Sequence, residues 1–246
     1  MIRLHPPLPA RGSAVLVIPG IGGTARTVGP LTAALTDVPT AVALRRPVAA
    51  GPAGEVDAIP GWAAELARQL ADGPCPDALV VLGHSLGAYI ALELVRRLEE
   101  SAPGVVRALV VAGQLPPHRL PAPAGDWLDD ASVLRRVSGG ALPQGLAGEP
   151  ALLRFLIDSW RADYRAVDAY RSRPVRPIAT PLSVWNAAAD PSAPSGAALS
   201  AWRGYTGAAT EFATFEGAHD FLYTDVEPVA AQLSRLAAPR AEVLHV

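Results

Sequence analysis

Apolar residues arrive in short runs closed by turn-forming residues. Ala14-Val15-Leu16-Val17-Ile18 ends at Pro19-Gly20, and its β-branched character predicts a buried central strand. Similar runs at 40–44, 79–82 and 105–112 predict three more strands. Between them the period changes. Residues 31–35 read as a short helix, and Trp62, Leu66 and Leu70 recur every four residues. Tyr89, Ile90, Leu92, Leu94, Val95 and Leu98 continue a helix to about residue 100. Strand and helix signals in alternation predict an α/β fold with a mostly parallel central sheet and helices on both faces.

The alternation breaks after Gly113. No convincing strand occurs from 114 to 177. Proline-rich stretches at 115–118 and 121–125 lead to helical patterns at 130–137 and 149–170, with Gly139-Gly140 between them. This segment is expected to be a helical lid, residues 114–177, inserted into a core made of 1–113 and 178–246. Strand patterns return at 180–186 and 210–215, separated by a helix at about 195–205 and followed by a closing helix at 229–236.

Composition narrows the class. A chain of 246 residues, half of them hydrophobic, suits one α/β domain with a sizeable core. No apolar run spans a bilayer, and the first residues lack the apolar centre of a signal peptide. The single cysteine, Cys75, excludes an internal disulfide and sits in a Pro-flanked loop as an inert thiol. A soluble cytoplasmic protein is expected. The net charge of −2 argues against nucleic acid or a membrane as partner, although all 21 basic residues are arginine.

The candidate chemistry lies at Gly83-His84-Ser85-Leu86-Gly87, where the third strand stops and a helix begins at once. This is the layout of a nucleophile elbow: the turn exposes the Ser85 hydroxyl at the strand's end, beside the first N–H groups of a helix. A serine hydroxyl needs a base, and that base needs an orienting carboxylate. In the α/β-hydrolase layout they follow in the order Ser, acid, His. His219 follows the last strand and is the expected base. His5, His84, His118 and His245 are less well placed. Asp190 follows the strand at 180–186 and is the expected acid, preferred over Asp220, which adjoins the histidine too closely. The glycine-rich loop Pro19-Gly20-Ile21-Gly22-Gly23 is expected to supply one oxyanion-hole N–H, from Ile21, and the residue after the nucleophile, Leu86, the other.

Beyond the elbow, the chain resembles the stand-alone type II thioesterases of polyketide and nonribosomal peptide synthesis, members of the α/β-hydrolase superfamily. The resemblance covers most of the chain. It rests on Ile18-Pro19-Gly20-Ile21-Gly22-Gly23, on 83–88, on Gly139-Gly140-Ala141-Leu142-Pro143, and on Leu152-Leu153 through Arg161-Ala162-Asp163-Tyr164 to Tyr170. Asp190-Pro191, Ala201-Trp202 and Phe215-Glu216-Gly217-Ala218-His219 extend it. It implies hydrolysis of acyl thioesters on phosphopantetheinylated carrier proteins, for editing or product release. The implied partner is an acyl or peptidyl carrier protein of a synthase. No metal or other cofactor is implied, since the substrate brings its own phosphopantetheine, and a monomer is expected. The chain departs from the family pattern at Arg45-Arg46-Pro47, at Ala187-Ala188-Ala189, and at Asp220, where an aromatic is usual. These departures bear on the substrate rather than on the triad.

Leu152, Phe155, Leu156 and Trp160 recur at helical spacing and are candidates to line the acyl channel. The arginines from 154 to 176 could meet an acidic carrier, but Arg154 with Asp158 and Arg165 with Asp168 also sit at ordinary helix-pair spacing. Three other functions compete on the same residues: release by cyclisation, a small-molecule serine esterase, and a catalytically silent carrier-binding partner.

Overall fold

A computed structural model describes residues 1–47, 57–121, 129–138, 146, 148–193 and 196–239. The chain runs β1 (Ile2–His5), β2 (Ser13–Ile18), α1 (Ala25–Ala34), β3 (Thr40–Arg45), α2 (Ala58–Asp72), β4 (Ala78–His84), α3 (Leu86–Ser101) and β5 (Val106–Ala112). It continues with α4 (Asp130–Ser138), α5 (Pro150–Tyr170), β6 (Leu182–Ala187), α6 (Ala197–Ser200), β7 (Thr210–Phe215), α7 (Phe221–Thr224) and α8 (Val226–Ala237). The strands form one sheet in the order β1-β3-β2-β4-β5-β6-β7. Every pairing is parallel except β1 with β3, where Ile2 lies opposite Arg45.

The central strands are buried on both sides, so they read as continuous apolar runs. Side chains alternate between the faces. Leu16, Ile18, Leu79, Val81, Leu109 and Val111 pack with Leu66 of α2 and Leu94 of α3. Val15, Val17, Val80, Leu82 and Val110 pack with Leu31 of α1 and Leu233 of α8 on the other side. The β4 strand is buried along its whole length. The residue that follows it, Ser85, therefore stands at the end of a fully buried central strand.

Two expectations need correction. Residues 2–5, where no strand is expected from the sequence, form the antiparallel edge strand. Four residues with only Ile2 fully buried carry too little periodicity to be recognised. The helix expected from 195 to 205 is a single α-turn, α6, continued by a 3-10 helix over Ala201–Tyr205. The short α7 had no counterpart in the sequence reading.

The described residues between β5 and β6 contain no strand, only a 3-10 turn at Pro117–Arg119 and helices α4 and α5. Val133 of α4 packs with Ile157 and Trp160 of α5 in a small separate cluster. The α5 helix is fastened to the sheet layer at two places. The Arg45 guanidinium grips both oxygens of Asp163, with the Nη2–Oδ2 bond at 2.7 Å, and lies over the Trp62 ring. At the helix end, the Tyr170 hydroxyl donates to Glu93 at 2.7 Å and its ring stacks on Tyr89. Asp158 pairs with Arg161 rather than with Arg154. Residues 122–125, 139–143, 195 and His245, all used in the sequence reading, lie outside the described residues. Among the described residues no helix is long and apolar enough to cross a membrane.

Candidate active site

Ser85 stands between β4 and α3 with φ 53° and ψ −124°. It is the only non-glycine residue with positive φ among those described. Such a conformation costs free energy and persists only where the surroundings over-determine it. Here they do. A Cβ on Gly87 would come within 2.0 Å of the Ile18 carbonyl oxygen, so only glycine lets α3 approach β2 this closely. A Cβ on Gly20 would lie 2.9 Å from Ser85 Cβ, and that glycine leaves room for the serine side chain. Among the described residues the Ser85 hydroxyl has no hydrogen-bond partner, and the backbone N–H groups of Ile21 and Leu86 donate to none.

His219 follows β7 in the bend before α7. Asp190 follows β6, with its side chain fully buried. Asp190 Oδ2 is 2.7 Å from His219 Nδ1, while the His219 side chain is 42% exposed. Burial alone would raise the Asp190 pKa. The bonds from His219 and from the Ser192 hydroxyl and N–H outweigh burial and hold it below the usual carboxylate range. A carboxylate can only accept, so Nδ1 carries a hydrogen, and in the neutral imidazole that leaves the lone pair on Nε2.

Ser85, His219, Gly20 and Ile21 line one pocket of about 230 Å³, with Arg136, Tyr164, Asp220 and Tyr223 around it. Asp220 is thus at the site without touching the imidazole as Asp190 does. A larger cavity of about 660 Å³ shares Gly22, Gly23, Thr27 and Val137 with this pocket. Leu156 and Trp160 line it, together with the Arg45–Asp163 pair. Leu152 and Phe155, proposed from sequence for the same channel, do not. They stand exposed on the first turns of α5, before its inward face at Ile157, Trp160 and Asp163 is established. His118 is engaged with the Tyr205 hydroxyl at 3.0 Å, and His5 lies on the edge strand.

Three groups at the site escaped the sequence reading. His84 is buried beneath the elbow, and its Nε2–H donates to the His219 carbonyl oxygen at 2.8 Å. Burial, then the neighbouring His219, push its pKa down to about 3, so it is neutral. The Tyr223 hydroxyl is buried without a partner at the pocket wall. Ser192 touches both Asp190 and His219. Only Ser192 had a sequence signal: Asp-Pro-Ser favours a turn in which the third residue bonds back to the aspartate. Among the described residues no cluster of three or more His, Cys, Asp or Glu could hold a metal.

Comparison with known proteins places this geometry in context. The thioesterase domain family matches residues 14–236. A probable cadicidin biosynthesis thioesterase of Streptomyces griseus is 30% identical over 163 residues, 65% of this chain and 44% of that protein. Thioesterase PikA5 of Streptomyces venezuelae is 31% identical over 147 residues, 58% of this chain and 51% of that protein. The matches thus span about half the length of these curated relatives. Among solved structures, the type II thioesterase BorB from the borrelidin biosynthetic cluster superposes with a TM-score of 0.76 at 26% identity. That match covers 96% of this chain and 97% of BorB.

Proposed function

The chain belongs to the thioesterase domain family, and from that premise we propose that it hydrolyses acyl thioesters borne on phosphopantetheinylated carrier proteins of a polyketide or nonribosomal peptide synthase. Its fold is that of α/β-hydrolase thioesterases, and its structural neighbours include the type II thioesterase BorB from the borrelidin biosynthetic cluster. The observation that carries the proposal is the 2.7 Å contact between Asp190 and His219 in the pocket that also holds the strained Ser85.

In this scheme His219 Nε2 takes the Ser85 proton as Oγ attacks the thioester carbonyl. Asp190 holds the imidazole and stabilises the imidazolium. The negative charge on the carbonyl oxygen falls to the N–H groups of Ile21 and Leu86. Removing one such donor typically costs about 3 kcal/mol. The imidazolium returns its proton to the departing thiol. Water then attacks the acyl-enzyme with His219 again as base, and a carboxylic acid leaves. The 660 Å³ cavity is the natural place for the acyl chain, under a lid to which α4 and α5 contribute Val137, Leu156 and Trp160. The chemistry asks nothing of a metal or organic cofactor beyond the substrate's own arm.

The test is turnover of a panel of acyl-carrier thioesters, read by mass. The native chain should release free acid, one water heavier than a cyclised product. Ser85→Ala should reduce the rate by on the order of 10⁶-fold with the fold retained. Oxygen esters turned over in preference to thioesters would favour a small-molecule esterase. Undiminished turnover in Ser85→Ala would reject the scheme.

A further inference from the structure

Ser192 lies two residues after Asp190, at the Nδ1 edge of the His219 imidazole. Its hydroxyl oxygen is 2.6 Å from Asp190 Oδ1 and 3.0 Å from His219 Nδ1. Its backbone N–H donates to the same Asp190 Oδ1 at 2.9 Å. The hydroxyl has one hydrogen, and Asp190 can only accept, so that hydrogen goes to Oδ1. The oxygen's lone pairs then face His219 Nδ1. That nitrogen already donates to Asp190 Oδ2 at 2.7 Å. The imidazole N–H therefore points between two acceptors, the second carboxylate oxygen and the serine.

We propose that Ser192 is a positioning residue for the His219–Asp190 couple: it fixes the imidazole with hydrogen on Nδ1 and holds the Asp190 carboxylate in the plane His219 needs. This rests on the serine-nucleophile reading given above, and it adds a fourth side chain to that reading. The carboxylate has two oxygens, and one serves the histidine. The other would be free to rotate the group out of line. Two bonds from one residue, through O–H and N–H, secure that other oxygen. The consequence is a smaller search for the productive imidazole orientation in each proton transfer.

The test uses the full chain with Ser192→Ala and Ser192→Thr. Alanine keeps the backbone N–H bond to Asp190 and removes only the hydroxyl. Threonine restores it. Two rates are read: thioester hydrolysis, and labelling of Ser85 by a fluorophosphonate, which needs the activated serine but no thioester. In Ser192→Ala, kcat and the labelling rate should each fall about tenfold, the worth of one ordinary hydrogen bond at the transition state. KM should stay near its native value. The low-field proton resonance of the His219–Asp190 bond should shift or broaden. Threonine should recover most of both rates and the resonance. A merely structural role would lower the unfolding midpoint and leave both rates and the resonance of the folded protein untouched; that result overturns the proposal, as does a native labelling rate in Ser192→Ala. The function reading fails separately. If the native chain labels but hydrolyses no thioester, the substrate class is wrong, and the labelling comparison still decides the role of Ser192.

Discussion

Two aspartates in this molecule are almost equally buried and do opposite things. Asp190 is 4% exposed and Asp163 is 5% exposed, and each has a partner at 2.7 Å. The partner of Asp163 is Arg45, a permanent cation with only 12% of its side chain in solvent. The partner of Asp190 is His219, which can lose and gain a proton and whose side chain is 42% exposed, in the pocket that Ser85 also lines. Burial of a carboxylate therefore says little about function. The chemistry of its partner, and whether that partner reaches a pocket, says most. Asp163 fastens α5 to the strand end at Arg45; Asp190 holds an imidazole that opens onto the pocket with Ser85.

The sharpest test of that contrast is to neutralise each carboxylate with the same substitution. Asp190→Asn should lower kcat by on the order of 10⁴-fold, because an amide no longer selects the tautomer with Nε2 free. Steady-state hydrolysis beside an unfolding curve measures it; a native rate would remove Asp190 from the triad. Asp163→Asn should act on stability. It leaves the Arg45 guanidinium buried beside a neutral group, and breaking a buried pair costs about 3–5 kcal/mol. The urea midpoint should fall accordingly. Replacing both partners, Arg45→Met with Asp163→Leu, should bring the midpoint back towards the native value, since a packed apolar pair often serves as well as an ionic one. If the double variant is as unstable as Asp163→Asn alone, the pair does more than fasten the helix.

The two aspartates were not equally legible in the sequence. Asp190 follows a strand pattern and precedes His219 in the order the fold requires, so its place could be read from one dimension. So could Ser85, whose elbow is local: strand, turn and helix lie within adjacent residues. Asp163 and Arg45 are 118 positions apart. The motif containing Asp163 pointed to a family but not to its partner, because nothing in helical spacing says which strand end a lid residue meets. Leu152 and Phe155 show the same limit from the other side. Their spacing made them as good as Leu156 and Trp160, and only the docking of α5 separates exposed from lining positions. His84 was visible as a residue of the elbow, yet its bond runs to a backbone carbonyl 135 positions away, and backbone acceptors leave no trace in side-chain identity.

His84 gives the effect that separates burial from charge most cleanly. It is buried like the two aspartates but has no ionic partner, so burial acts on it unopposed by a strong attraction. Its pKa is about 3 in the folded chain, against an ordinary value of about 6.5. As pH falls below 6.5 the unfolded chain binds a proton that the folded chain refuses until about pH 3. Stability from this group is complete above 6.5 and drains away through that window, at up to about 1.4 kcal/mol per pH unit. Asp190 also loses its contribution in acid, but only below the ordinary carboxylate value of about 3.9, because its folded pKa is depressed. Asp168, whose pKa burial raises, works in the opposite direction just above the ordinary carboxylate value, and comparing two chains that both carry it cancels its share between pH 6.5 and 4.5. His118, lowered by burial and then by Arg119, adds to the slope in the same direction as His84. His84→Gln should remove the His84 share while His118 keeps its own, so the native chain should show the steeper slope. Equal slopes in the two proteins would mean that the buried imidazole under the elbow takes up its proton as freely as in water, and that its bond to the His219 carbonyl does not depend on its being neutral.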